Sequence, residues 1–194
     1  MKGLFNFFFN KKKQNKEYKI LVLGLDNAGK TTILKSISGE TIKNLPPTKG
    51  FNVKIIQKEN IKFTFWDIGG QKSIRNIWEN YFENNDALIY VIDSSDVYRI
   101  EESGKELRNL LENNLLSGIP LLIYANKQDL NLSLNPEEIM NQLNLENIIN
   151  RKWTIVACSA ITKIGLIDGL EWLEKCLEYV FIIFFFFLLF FYFF

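Results

Sequence analysis

The sequence predicts an α/β domain, a six-stranded mixed sheet with helices on both faces. Apolar runs of strand length alternate with segments of helical period along most of the chain, the pattern of parallel strands joined by helices. Two of those runs are separated only by Lys58-Glu59-Asn60, which makes them a hairpin and one of them antiparallel. A length of 194 residues with 47% hydrophobic content suits one domain with a substantial core.

Strands are expected at Tyr18–Leu23, Phe51–Gln57, Ile61–Asp67, Ala87–Asp93, Pro120–Asn126 and Trp153–Cys158. Helical period marks Lys30–Ile37, Ile74–Tyr81, Ile100–Leu115, Pro136–Leu143 and Leu166–Tyr179. These elements place a globular domain at residues 18–180. Sheets of this kind bind ligands beyond the C-terminal ends of their strands. The residues with the most chemical content follow the first, third, fifth and sixth strands.

Composition removes several classes of function. There is no histidine, so Ser-His and Cys-His catalysis and His-containing metal sites are impossible. A net charge of +1 carries no basic excess for nucleic acid, and none is expected as a partner. Cys158 and Cys176 lie far apart, suit a reducing, cytoplasmic compartment and read as small buried core residues.

The first motif is Gly24-Leu25-Asp26-Asn27-Ala28-Gly29-Lys30-Thr31, which fits G-x-x-x-x-G-K-[ST] between a strand and a helix. Its glycines let the backbone bend so that successive N–H groups of 26–32 face phosphate oxygens, with Asp26, Asn27, Ala28, Gly29 and Thr32 on the loop. The helix N-terminus adds a dipole that favours anions. Lys30 would reach the β- and γ-phosphates, and the Thr31 hydroxyl would ligate Mg²⁺. Asp67-Ile68-Gly69-Gly70-Gln71 ends the third strand. Asp67 can hold Mg²⁺ through a water, the Gly70 N–H can meet a γ-phosphate, and Gln71 is the candidate catalytic residue, orienting an attacking water. Thr48 lies in a loop where its hydroxyl can complete the Mg²⁺ shell opposite Thr31.

Asn126-Lys127-Gln128-Asp129 ends the fifth strand and supplies a base-binding set. The Asp129 carboxylate can accept from guanine N1–H and from the exocyclic amine, a donor pair that adenine lacks. Asn126 would brace the loop and the Lys127 stem would cover the base. Cys158-Ser159-Ala160 ends the sixth strand, where the Ala160 N–H could donate to guanine O6. Ser159 completes that group.

These five elements, in this order and spacing, resemble the Ras-superfamily small GTPases. Trp66-Asp67-Ile68-Gly69-Gly70-Gln71, Pro47-Thr48-Lys49-Gly50-Phe51-Asn52 and Asn126-Lys127-Gln128-Asp129-Leu130 look like the Arf family. Tyr81-Phe82-Glu83-Asn84, Ile89–Ser94 and Cys158-Ser159-Ala160 are most similar to its Arf-like three group. The resemblance covers Tyr18 to about Tyr179. It implies a P-loop NTPase small G domain and a Mg²⁺-dependent GTPase that cycles between GDP and GTP with slow hydrolysis. A hairpin at Phe51–Trp66 would slide when GTP binds, and the aromatic triad Phe51, Trp66 and Tyr81 would be read by effectors. An exchange factor, a GTPase-activating protein and carriers of lipidated cargo are the implied partners, at Golgi, cilium or flagellum. Arg75 and Arg99 are candidates for an arginine finger in cis by composition alone, so the activating protein is expected to supply one. The alternative reading is a guanine-nucleotide-dependent scaffold that does not hydrolyse, against which Gln71 argues.

Two end segments are read separately. In residues 1–17, Met1, Leu4, Phe5, Phe8 and Phe9 share one helical face opposite Lys2, Asn6, Asn10 and Lys13, an amphipathic pattern suited to a membrane surface. By resemblance this segment, about Gly3–Asn10, occupies a groove in the GDP state and leaves it in the GTP state. Lys2 stands where N-myristoylation requires glycine, so acylation by that route is not expected from this start; either the segment binds membranes weakly without lipid or the true start differs. The Phe-rich run that closes the chain at 181–194 has three open readings: a membrane anchor, a buried extension of the last helix, or translated non-coding sequence.

Overall fold

A computed structural model describes residues 16–43 and 45–178. The amphipathic face at Met1–Phe9, the tail at 181–194 and Tyr179 lie outside the described residues. The sheet has six strands: β1 (Lys16–Leu23), β2 (Phe51–Lys58), β3 (Ile61–Ile68), β4 (Ala87–Asp93), β5 (Leu121–Asn126) and β6 (Trp153–Ala157). Their spatial order is β2-β3-β1-β4-β5-β6. Only β2 runs antiparallel, paired with β3 from Phe51 opposite Ile68 to Lys58 opposite Ile61. The short link at 58–60 therefore forms the hairpin that the sequence predicts.

The helices are α1 (Lys30–Ile37), α2 (Ile100–Glu112), α3 (Pro136–Leu143) and α4 (166–178). Alternate residues of β1 feed two cores. Ile20 and Val22 pack with Ile33 and Leu34 of α1 and Leu173 and Leu177 of α4. Leu21 and Leu23 pack on the other face with Leu107 of α2, Ile139 of α3 and Trp78. Every residue of β5 is buried, as expected of a parallel strand covered on both sides. The capping box of α3 is complete: Asn135 Oδ1 accepts from the Glu138 N–H, and Glu138 Oε2 accepts from the Asn135 N–H.

Two expected helices differ from the sequence reading. α2 stops at Glu112 because Asn113 turns to φ −76°, ψ 126° and its side chain accepts from the Leu115 N–H, starting a separate 3₁₀ turn at Asn114–Leu116. The helix expected at Ile74–Tyr81 is a 3₁₀ helix over Lys72–Tyr81. Ile74, Ile77, Trp78 and Tyr81 fit a period of 3.6, so sequence alone favours the α-helix. The 3₁₀ repeat instead eclipses Arg75, Trp78 and Tyr81. Arg75 and Trp78 donate to the carbonyls of Gly70 and Gly69, at 2.9 and 2.8 Å, and Tyr81 meets the aromatic rings of β2 and β3.

The strand order reverses around β1 and β4. The loops after β1, β3, β5 and β6 open at that end of the sheet, where such folds bind ligands.

Candidate nucleotide-binding site

The loop after β1 ends in Gly29, which precedes α1 with φ 94°. A Cβ there would stand 2.3 Å from Asn126 Nδ2, so both the torsion and the space call for glycine. Lys30 is 6% exposed and donates to the carbonyls of Gly24 and Leu25, both at 2.8 Å. Burial pulls its pKa down to about 8, against the opposing pull of Asp67 and Asp26.

Three oxygen ligands converge beside it. Thr31 Oγ1 donates to Asp67 Oδ2 at 2.5 Å and lies 2.9 Å from Thr48 Oγ1. Asp67 is 1% exposed, and its Oδ1 has no hydrogen-bond partner among the described residues. Burial holds its carboxyl above the ordinary range, partly offset by the Thr31 hydroxyl. A buried, unpartnered carboxylate oxygen beside two hydroxyls fits a hard cation that keeps several waters, as Mg²⁺ does. No group of three or more acidic or thiol ligands occurs among the described residues. The site therefore fits a metal shared with substrate phosphates, with Thr31, Thr48 and Asp67 as its protein side. Burial of Lys30 and of Asp67 disfavours each charge separately; an adjacent phosphate and an adjacent cation would relieve both.

Gly70 is pressed against the loop after β1. A Cβ on it would lie 2.3 Å from the Gly24 carbonyl and 2.4 Å from the Asp26 nitrogen, so only glycine permits this approach. Gln71 follows, half-buried, on the wall of the same cleft. Arg75 and Arg99 are both engaged within the chain. The Arg75 guanidinium bonds Gly70, Glu102 and Glu106, and the two carboxylates hold its pKa above the ordinary value despite burial. Arg99 pairs with Asp96 at 2.7 Å and Asp26 at 3.1 Å.

At the other end of the cleft, Asn126 bridges loops. Its Nδ2 donates to the Ala28 carbonyl at 2.8 Å, and its Oδ1 accepts from the Ala160 N–H at 3.0 Å. The Ala160 N–H that the sequence assigns to guanine O6 thus donates to Asn126. Ser159 is buried below the cleft: its hydroxyl donates to Asp129 Oδ1 at 2.5 Å and accepts from the N–H groups of Ile161 and Thr162. It positions Asp129 and does not itself line the cleft. Lys127 takes a left-handed φ of 69° and donates to Asp93 Oδ2 at 2.5 Å.

A cleft of about 410 Å³ joins the two ends. Asp26, Asn27, Gly29, Lys30, Thr31, Thr32, Thr48, Gly70 and Gln71 line it at one end, and Asn126, Lys127, Asp129 and Ala160 at the other. Ala28 is buried behind the loop. Sequence reasoning missed Asp93, the loop wall Leu45-Pro46-Pro47 and the ties of Arg75 to Gly70, Glu102 and Glu106, having offered Arg75 only as a candidate arginine finger. The signals for them were faint: a carboxylate ending a strand, and Glu102 and Glu106 one helical turn apart.

The predicted effector triad is assembled away from the cleft. Phe51 and Trp66 stack at 5.5 Å, and Tyr81 lies 5.4 and 5.9 Å from them. Trp66 and Tyr81 also pack against the core, while Phe51 is 47% exposed. The group thus serves packing and presents a surface.

The model of the ADP-ribosylation factor family, Arf, matches residues 4–177. The chain belongs to the Arf family. It is 52% identical over 173 residues to ADP-ribosylation factor-like protein 3 of Chlamydomonas reinhardtii, covering 89% of this chain and 98% of that one. It is 48% identical to ADP-ribosylation factor-like protein 2 of Dictyostelium discoideum, covering 89% and 94%. Among solved structures, the Arl6 BBS3 small GTPase of Trypanosoma brucei, with bound nucleotide analogue GppNp, superposes with a TM-score of 0.78. That match has 30% identity and covers 84% of this chain and 98% of that one. Membership makes the protein a GTP-binding small GTPase, an enzyme that hydrolyses GTP to GDP and phosphate.

Proposed function

We propose that this Arf-family GTPase is a Mg²⁺-dependent switch of the Arf-like type, whose GTP state recruits carriers of lipidated cargo. The observation that carries the switch reading is the convergence of Thr48 and Gly70, from the segments flanking the hairpin, on the phosphate end of one cleft. On this reading the terminal phosphate of GTP is the one that engages both. The hairpin between them is tied to both through Phe51 and Ile68, so occupancy there is coupled to the position of β2 and β3.

Hydrolysis follows from positioning and charge, not from covalent chemistry. Lys30 draws charge from the phosphates, and the loop N–H groups hold them in place. Thr31, Thr48 and a water on Asp67 would hold Mg²⁺, which would supply positive charge to the phosphates when bound. Gln71 orients the attacking water. Arg75 and Arg99 are held by acids of the chain, which supports an arginine supplied by an activating protein. Asp129 selects guanine.

The cargo role, in the cytoplasm with reversible attachment to Golgi, ciliary or flagellar membranes, is supported by similarity to the Arf-like 3 protein of Chlamydomonas and by the amphipathic pattern of residues 1–17. An exchange factor completes the cycle. The test is a pull-down with GppNp-loaded and GDP-loaded protein, read by mass spectrometry, beside liposome co-sedimentation. Carriers retained only by the GppNp form support the reading. Equal recovery and equal liposome binding in both states refute it.

A further inference from the structure

The Arg75 guanidinium is 8% exposed and touches three parts of the fold at once. Its Nε donates to the Gly70 carbonyl at 2.9 Å. Its Nη1 donates to Glu102 at 2.6 Å and Glu106 at 3.0 Å, both on α2. Its Nη2 lies 3.7 Å from Asp26 of the phosphate loop. Asp26 is shared with Arg99, whose Nη1 donates to it at 3.1 Å, and Arg99 is itself held by Asp96. Three separate guanidinium nitrogens reach these groups, a spread that a lysine ammonium, with its three donors on one nitrogen at the end of a shorter stem, does not match.

We infer that Arg75 is a positioning residue that fixes the Gly70 peptide for a terminal phosphate, using Glu102 and Glu106 as its rigid anchor. The inference rests on the GTP reading of the cleft. Gly70 presses the segment after β3 against the phosphate loop, and it has no side chain of its own to hold it there. Its carbonyl is the handle by which Arg75 holds it. Accepting from a guanidinium orients the Gly70–Gln71 peptide at the wall of the cleft, while the peptide that carries the Gly70 N–H is held by Trp78 Nε1 on the Gly69 carbonyl at 2.8 Å, so Gly70 is restrained from both sides. The acids on α2 matter because an arginine that is already paired and buried loses little freedom when Gly70 arrives. Asp26 ties the same cation to the loop that cradles the phosphates, so the closed arrangement is held from both sides. On the GTP reading only the terminal phosphate engages Gly70, so the network should act on the triphosphate alone.

The test measures dissociation constants for GppNp and for GDP with full-length protein, parent and variants, by fluorescence of labelled nucleotides. Arg75→Met keeps the stem and removes the donors. Glu102→Gln with Glu106→Gln keeps Arg75 and loosens its anchor. Thermal melting of the GDP-loaded forms reports folding. Arg75→Met should weaken GppNp by about tenfold or more, the effect of one charge-assisted hydrogen bond, and leave GDP within about twofold. The double variant should shift the ratio the same way by a smaller factor, and it carries the test if Arg75→Met does not fold. Arg75→Lys, with its donors on a single nitrogen, should recover only part of the ratio. Equal weakening of both nucleotides, or no change in the ratio, overturns the inference. A parent that binds neither nucleotide overturns the GTP reading of the cleft instead.

Discussion

Asn126 donates from Nδ2 to the carbonyl of Ala28 at 2.8 Å, joining two loops 98 residues apart in sequence. The same amide accepts from the Ala160 N–H, so one side chain ties the phosphate end of the cleft to both base-end loops.

Asn126→Ala should therefore damage phosphate and base recognition together. Each buried partner left unsatisfied costs ~1–3 kcal/mol, so GDP and GTP affinity should fall by about that much or more. Labelled-GDP titration checks it. A variant that loses affinity for one end alone, measured by comparing GDP with guanosine, would show the bridge to be incidental.

Asp129→Asn should exchange guanine preference for xanthine, because the new amide donor meets an acceptor on that base. GTP should weaken by about 3 kcal/mol, and xanthosine triphosphate should gain. Ser159→Ala frees Asp129 without changing its chemistry. It should weaken GTP by only ~1 kcal/mol and gain nothing for xanthine. Competition titrations with both nucleotides separate the two effects.

Gln71→Leu should keep GTP affinity within about twofold and lower activator-stimulated hydrolysis by roughly 10²-fold, the scale of losing an oriented proton-transfer partner. Lys30, Thr31, Thr48 and the loop N–H groups are untouched, so binding survives. Single-turnover assays with an activating fraction provide the check, and parent-level hydrolysis in the variant would remove Gln71 from the mechanism.

Lys30 gives the nucleotide-free protein a pH signature. Burial holds it at about 8 against an ordinary 10.5, so between those values the unfolded chain binds more protons than the folded one. Stability should rise as pH increases from about 8 to 10.5, by up to about 3 kcal/mol. Below pH 8 the full cost of the buried charge is present. Saturating GDP with Mg²⁺ places phosphate beside Lys30 and should flatten that slope. Urea melts of the metal-free and loaded forms across this range measure it, with Lys30→Met as the control that lacks the slope in either form.

The sequence by itself determined the sheet, the hairpin and nearly every residue of the cleft. Those signals are local: alternation of apolar runs, a glycine-bounded loop between strand and helix, and short motifs at strand ends. Thr31, Thr48, Asp67 and Asn126 were legible because each belongs to a motif whose chemistry is set within a few residues. The tertiary structure alone decided what holds these residues in place. Arg75 finds Glu102 and Glu106 across 27 and 31 residues, and Ser159 finds Asp129 across 30. It also decided that Lys72–Tyr81 winds as a 3₁₀ helix, because bonds to Gly69 and Gly70 outweigh an apolar period that suits an α-helix equally well. Local patterning fixes which face of an element is apolar. Which partner a buried guanidinium or hydroxyl meets depends on elements brought together by the sheet, and no spacing along the chain records that.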